Sequence, residues 1–536
     1  MPVVVVGAGP TGLTAALDLA YRGVPSVVLD AGRPRPDGSR AIAIHSSALA
    51  VWERLGCAEE MLAEGVAWRV RRTYHRDREL YAQVMPEPAP GVLPTFLNLP
   101  QHRTEQFLIR RAEAAPLIDL RWEHRVAGVD RESGVVDVDT ARGPVRFHAS
   151  HVLACDGARS AVRRLLGLAF PGTTYADRFL VADVRAELPF PPEPRFFFDH
   201  PTNPGSTVLV HPQPDGVWRI DWQLGSSVDI EAERSPAALA RRIRGVLGDA
   251  PYELVWLSDY RFHQRLLPEL RHGRVFFLGD AAHLVAPFGA RGMNSAIHDV
   301  ENLGWKLAAV LRDEAPATLL DTYQAERHPA QRHDQRVTEA TMRFMAPRTP
   351  AQRLRRGVTL WLAGRYAPAS RWVDSGRMST PYTYADSPIV CADGECWPGA
   401  PVPGAKVPTA SPELRRLVGQ GFVALYFGAD GTDGAPVVTG AQVVTADARG
   451  PLGRAYGAVP GSVFLVRPDG HLAARRRSAS AEDREDLEGE LEGLVRYASG
   501  AGRHRGQVAE GLHSSCARTP LSRVPTSLAT LTSRNP

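Results

Sequence analysis

A chain of 536 residues exceeds one simple core, so two or three domains are expected. Hydrophobic residues at 44% and charged residues at 23% are ordinary for a globular protein and exclude a low-complexity chain. The net charge of +4 is small for this length, no Lys/Arg block stands out, and no apolar run reaches the roughly 20 residues that span a bilayer, so neither nucleic acid nor a membrane is expected as a partner.

The N-terminal stretch Met1–Gly7 is apolar but lacks a basic region and a small-residue cleavage site. It reads as a buried strand and not as a signal peptide. Residues 3–30 follow as strand, glycine-rich turn, helix and strand: a β-branched run at Val3–Val6, an Ala/Leu-rich helix over Thr14–Tyr21 stopped by Gly23, then Val27–Leu29. Residues 41–65 read as mostly helical. Residues 66–100 read as irregular or β, because Pro86, Pro88, Pro90 and Pro94 break any helix, and 104–115 as an amphipathic helix.

Residues 124–154 alternate like hairpin strands. A hairpin closed by Asp215-Gly216 is expected between Thr207–Val210 and Val217–Trp222. On the second of these strands Trp218, Ile220 and Trp222 share one face, and Arg219, Asp221 and Gln223 the other. Residues 274–279 read as a buried strand, 293–312 as a long helix, and 319–375 as helical with breaks at Pro329, Pro347 and Pro350. After Pro398 come strands at 420–427 and 461–467 and a helix at 480–499, and the Ser/Thr/Arg-rich tail from Ala501 reads as disordered.

The five cysteines, Cys57, Cys155, Cys391, Cys396 and Cys516, are odd in number and scattered, and none stands in a C-x-x-C pair. Reduced thiols in a cytoplasmic protein are expected, and no Cys/His cluster suggests a metal.

Three segments carry chemistry. The first is Gly7-Ala8-Gly9-Pro10-Thr11-Gly12 between strand and helix. Gly7 permits the tight turn, Gly9 lets a pyrophosphate approach the backbone, and Gly12 lets helix and strand pack closely. Free N–H groups at the helix start favour phosphate, and Asp30, closing the second strand, can accept from ribose hydroxyls. This motif alone does not separate FAD from NAD. The second segment, Cys155–Arg163, holds Asp156 and Gly157. The third, Gly273–His283, runs a buried strand into Gly279-Asp280, where an acid can reach the ribityl or pyrophosphate side of an extended flavin nucleotide.

Together, in this order, the three segments resemble the flavoprotein aromatic hydroxylases of the para-hydroxybenzoate hydroxylase type, in the phenol, 3-(3-hydroxyphenyl)propionate and polyketide hydroxylase branch. The resemblance covers about residues 3–375. It implies an α/β fold: a Rossmann-like FAD-binding domain over 1–175 and 271–395, with 66–100 joining the substrate region, and an interleaved β-sheet substrate domain over 176–270. A thioredoxin-like domain over 396–500, carried by the resemblance of Gly461–His471, and the tail 501–536 complete it.

The resemblance also implies roles. Gly7, Gly9, Pro10, Thr11, Gly12 and Asp30 hold the ADP half of FAD, Arg40 and Gln101 contact the cofactor, Asp156 and Gly157 serve FAD and a passing NADPH or NADH, and Gly279 and Asp280 meet the ribityl chain. For Arg40 and Gln101 a surface salt bridge and a helix cap are the alternatives. The loop Pro287-Phe288-Gly289-Ala290-Arg291-Gly292-Met293-Asn294 delivers a helix start whose N–H groups favour negative charge on the flavin. Pro287, Arg291 and Gly292 are the candidates at the reacting centre, with Gly289, Met293 and Asn294 as further cofactor contacts. Many relatives read Gly-Gly-Gln-Gly here, so Ala290-Arg291 departs from the pattern, and Arg291 is either a flavin neighbour or a solvated loop charge.

The implied activity is hydroxylation of a phenolic or polycyclic aromatic substrate with NAD(P)H and O2 through a flavin C4a-hydroperoxide. A homodimer is allowed. The alternatives are a flavin halogenase, although Trp218-Arg219-Ile220-Asp221-Trp222 does not match W-x-W-x-I-P, another flavin oxidoreductase, or a scaffold without catalysis. The substrate-deprotonating base is not assigned. His200, His211 and His263 are candidates by region, each more often a structural histidine.

Overall fold

The computed structural model describes residues 1–34, 41–88, 91–226, 228–347, 349–374, 378–391, 397–408, 412–428, 438, 440–477, 489 and 493. Arg40, most of the expected 480–499 helix and the whole tail from Ala501 lie outside the described residues.

The β-branched run Val3–Val6 is buried on both faces, as a parallel strand covered by helices must be. It pairs in parallel with Ser26–Leu29 on one side and Val152–Ala154 on the other. The sheet continues in parallel to Ile118–Arg121 and Val275–Phe277, with the short antiparallel edge strand Arg271–His272. Three strands far apart in sequence thus end side by side, at Val6, Ala154 and Phe277. In an open α/β sheet the ligand crevice lies beyond those carboxyl ends.

A second sheet has eight strands in the order His283–Leu284, Glu253–Leu266, Gly172–Arg185, Val217–Leu224, Thr207–Pro212, Arg195–Phe198, Val70–His75 and Arg78–Val84. The last two come from the proline-bracketed region of the first half, so residues 70–84 do join this sheet. Asp215 and Gly216 both adopt positive φ, 59° and 67°, which closes the expected hairpin with the twist its strands need. The face carrying Trp218, Ile220 and Trp222 packs on Leu239 and Ile243 of helix Pro236–Leu247. The face carrying Arg219, Asp221 and Gln223 is therefore left to the interior between the two sheets.

Two expectations need correcting. Ala43–His45 is a strand within the region read as helical, held antiparallel to Phe96–Asn98. Pro329 does not break its helix, which runs unbroken over Asp321–Met345. A proline removes one intrahelical hydrogen bond, and here Glu326, Arg327, Gln331 and Asp334 anchor both sides of it to neighbouring elements.

The C-terminal sheet orders Ala441–Asp447, Phe422–Gly428, Ser462–Val466 and Leu472–Arg476, the first pair parallel and the others antiparallel. It has its own core around Phe427, Tyr456 and Phe464. No helix among the described residues is long and apolar enough to cross a membrane.

Candidate active site

The glycine turn after Val3–Val6 is dictated by contact. A Cβ on Gly7, whose φ is +103°, would lie 2.5 Å from the Cys155 carbonyl oxygen, and one on Gly12 would lie 1.9 Å from the Gly7 oxygen. Gly9 is different: nothing lies within 4 Å of its would-be Cβ. It caps helix Pro10–Tyr21, with Pro10 in the first turn, so the helix start opens into free space. Asp30 stands at the end of its strand and accepts from Ala8 N at 2.8 Å and Gly32 N at 2.8 Å.

The other two loops meet this turn. A Cβ on Gly279, whose φ is +57°, would lie 2.7 Å from Thr11 Oγ1. Asp156 accepts from Ala161 N and Val162 N at 2.6 and 3.0 Å and so starts the helix Ala161–Leu165. Its other oxygen is buried without a partner among the described residues, and burial raises its pKa. Arg163, at the end of this segment, is a buried tie: it donates to Ala281 O at 2.9 Å and Ala158 O at 2.7 Å. That links the second loop to the third.

A cavity of about 370 Å³ begins at these loops. Gly9, Pro10, Thr11, Gly157 and Asp280 line one end, together with Gln101 at the start of helix Gln101–Glu113. Gln101 accepts from Ala41 N at 3.3 Å and donates to Glu105 at 2.8 Å, so it joins the cavity wall to the chain just past Arg40. Asp156 and Asn294 are not among the lining residues. Asn294 is buried behind the wall, donating to Ala43 O and Ala290 O and accepting from His45 N.

Pro287, Gly289, Arg291, Gly292 and Met293 line the middle of the cavity. Ala290 sits at φ 55°, a left-handed conformation that costs a non-glycine residue free energy and is kept only where its surroundings over-determine it. Arg291 is only 3% exposed. It pairs with Asp334 and donates to Met378 O at 3.3 Å, so it is no solvated loop charge.

The far end is the polar face of the eight-stranded sheet, walled by Trp68, Phe179, Phe196, Tyr260, Phe262 and Phe288. His211, Arg219 and Asp221 form its floor. Arg219 binds Asp183 through two hydrogen bonds of 2.8 and 2.9 Å. Desolvation pushes Asp221 up to about 7 despite Arg219, and pushes His211 down to about 3, helped by Arg219 and Arg71. Of the three histidines singled out by region, only His211 reaches the cavity. His200 is tied to Thr202, and His263 to Thr174 on the outside.

Sequence reasoning missed Asp299. It lies on helix Gly292–Leu311 and accepts from Gly279 N at 3.0 Å, His283 at 2.6 Å, Arg327 at 2.7 Å and Gln331 at 3.0 Å. Burial opposes its ionisation, but His283 and Arg327 hold it down to about 2. The signal was there: Ser295, Asp299, Asn302 and Lys306 make a polar stripe on a helix buried almost all round.

A family model described as an FAD binding domain matches residues 1–338. The chain belongs to this FAD-binding family. The residues fit the cofactor: the crowded glycines leave one open helix start at Gly9, and Asp30 and Asp280 stand at the strand ends beside it. The FAD-binding chain is 33% identical over 327 residues to the 3-(3-hydroxy-phenyl)propionate/3-hydroxycinnamic acid hydroxylase of Mycobacterium sp. (strain JLS), 61% of this chain and 57% of that protein. It thus spans little more than half the length of that relative. It is 31% identical over 521 residues to the 6-methylpretetramide 4-monooxygenase of Streptomyces rimosus, 88% and 90% of the two chains. In fold it is similar to the flavin-dependent monooxygenase PieE, solved with FAD and substrate: TM-score 0.75 at 21% identity, over 95% of this chain and 99% of that one.

Proposed function

We propose that the protein is an FAD-dependent monooxygenase that hydroxylates a phenolic or polycyclic aromatic substrate with NAD(P)H and O2. One observation carries this reading. A single cavity joins the dinucleotide end, at Gly9 and Asp280, to an aromatic-walled end on the second sheet. The names of the relatives point the same way.

FAD, when bound, supplies the electron transfer between NAD(P)H and oxygen. The chain's residues do the rest. Gly7, Gly9, Pro10, Thr11, Gly12 and Asp30 hold the adenosine and pyrophosphate half, Gln101 steadies that wall, and Gly279 and Asp280 meet the ribityl chain. Asp156 and Gly157 shape the loop beside them, with Asp156 acting through the first-turn N–H groups of helix Ala161–Leu165 that it accepts from. The N–H groups at the start of helix Gly292–Leu311 open onto the cavity through Gly292 and Met293 and favour negative charge developing there. Asn294 holds that helix start against Ala43. Arg291, fixed by Asp334, gives the loop its shape beside Pro287 and Gly289.

The six aromatic rings exclude water and hold a flat ring by its faces. The chain has one glycine-rich nucleotide fingerprint, already used for FAD, so NAD(P)H binds transiently. The buried thiols of Cys57, Cys155 and Cys391 suit a reducing cytoplasm.

The test is a panel of phenols screened for stimulation of NADH and NADPH oxidation, with mass analysis of products. The expected result is gain of one oxygen atom by at least one phenol. A protein that holds FAD and oxidises NAD(P)H at the same rate whatever phenol is present, with no oxygenated product, would overturn the reading.

A further inference from the structure

The floor of the aromatic end is chemically odd. Most of that end is hydrocarbon, yet a carboxylate, Asp221, projects into it from strand Val217–Leu224 and is 7% exposed. Its Oδ1 is buried with no hydrogen-bond partner among the described residues. A buried carboxylate oxygen without a donor is costly, and native folds keep such groups mainly where something else satisfies them.

The neighbours explain why the protein itself does not supply that donor. Directly across the strands, Arg219 sits between Asp183 and His211. Its guanidinium makes two hydrogen bonds to Asp183, so the local cation is matched by another carboxylate. His211, from Thr207–Pro212, stays neutral at physiological pH. Tyr260, from Glu253–Leu266, is held protonated by burial and by Asp221. Arg71, on Val70–His75, donates to Gln83 at 2.7 Å, and Arg291, across the cavity, is paired with Asp334.

We propose that Asp221 is the acceptor for the substrate's phenolic hydroxyl and the base that removes its proton, an assignment that rests on the monooxygenase reading above. The phenol O–H bond breaks, the proton forms a new O–H bond on the Asp221 carboxylate, and the electron pair stays on the phenolic oxygen. No oxidant or reductant enters this step. The electron pair on oxygen enriches the ring carbons that must accept an oxygen atom. Arg219 is a positioning residue: clamped by Asp183, it fixes the strand face from which Asp221 projects. A base whose pKa is near the working pH combines being ionised with being able to take a proton, and desolvation brings Asp221 to about 7.

The probe pair is 2-naphthol and 2-methoxynaphthalene, one ring with and without the O–H donor. Binding to the holoenzyme is read from the perturbation of flavin absorbance. The wild type is expected to prefer 2-naphthol by about tenfold or more, the worth of a hydrogen bond to a charged acceptor. That preference strengthens as pH rises through about 7, where the carboxylate ionises. Asp221→Asn loses the pH dependence, Asp221→Leu loses the preference, and both retain FAD. With a phenol that the wild type hydroxylates, Asp221→Asn forms product about a hundredfold more slowly, and Asp221→Glu restores part of the rate with a displaced acid limb.

A pH-dependent naphthol preference that survives in Asp221→Asn and Asp221→Leu overturns the assignment and leaves the monooxygenase reading standing. An Asp221-dependent preference in a protein that hydroxylates no phenol overturns the monooxygenase reading and keeps Asp221 as a phenol acceptor. A holoenzyme that binds neither naphthalene overturns both.

Discussion

Asp221 has an energetic signature of its own. Burial raises its pKa from 3.8 to about 7, so the folded state holds that proton more tightly than the unfolded chain. Stability from this residue is therefore fully present below about pH 4 and is lost as pH rises through about 7. Replacing it by asparagine removes that loss. Asp221→Asn is expected to raise the thermal midpoint at pH 8, by the equivalent of a few kcal/mol, and to change it far less near pH 4. Thermal scans at the two pH values check this. Equal shifts at both would mean that the carboxylate is not the source. A residue that carries such a cost and faces an aromatic cavity fits a stability-for-function exchange.

The loop Pro287–Asn294 owes its position to the helix behind it. Asp334, on Asp321–Met345, pairs with Arg291 and accepts from Ser295 at 3.0 Å. Asp334→Ala would leave the Arg291 guanidinium buried without that carboxylate, a loss of about 3–5 kcal/mol. It should also weaken FAD retention, because the loop lines the middle of the cavity. Denaturant midpoints and flavin release measure the two effects, and an unchanged midpoint with normal FAD content would rule out this support.

At this scale the sequence was legible where pattern equals geometry. Gly7 to Gly12, the Asp215-Gly216 hairpin and the strand that runs through Phe277 toward Gly279 lie where spacing put them, since steric rules act locally. The alternation of Arg219 and Asp221 with Trp218 and Ile220 was also readable. Which face looked inward was not, because that depends on helix Pro236–Leu247 covering one side. Arg291 was undecidable for the same reason: its partner Asp334 is 43 residues away in sequence. Pro329 misled because a helix pinned by tertiary bonds tolerates one missing hydrogen bond. Asp156 reads as a ligand contact but acts first within the fold, accepting from the first N–H groups of helix Ala161–Leu165.

Across the whole molecule, the C-terminal sheet is fastened to the FAD-binding part by buried charge. Arg467 donates to Glu326 and to Asp469, Lys306 donates to the same Glu326 at 2.6 Å, and Trp305 donates to Asp469 at 3.3 Å. Arg467 and Glu326 are fully buried. Glu326 stays ionised well below the usual carboxylate range, because Arg467 and Lys306 outweigh the burial that opposes it. Arg467→Ala should therefore cost about 3–5 kcal/mol, and calorimetry should show the C-terminal sheet melting separately and earlier. One unsplit transition at the wild-type temperature would reject this clamp. Glu326 is also the neighbour of Arg327, which holds Asp299 under the Gly279 turn. The same two adjacent residues thus face the cofactor end and the terminal sheet. This sets a rule for recombining such chains. A crossover between positions 326 and 467 that brings in a partner sequence lacking Arg467, or that keeps Arg467 but loses Glu326, would leave the buried cluster of Lys306, Glu326, Arg467 and Asp469 with one unmatched charge at the seam. Chimeras that exchange this half of the molecule must inherit Lys306, Glu326, Arg467 and Asp469 as one set.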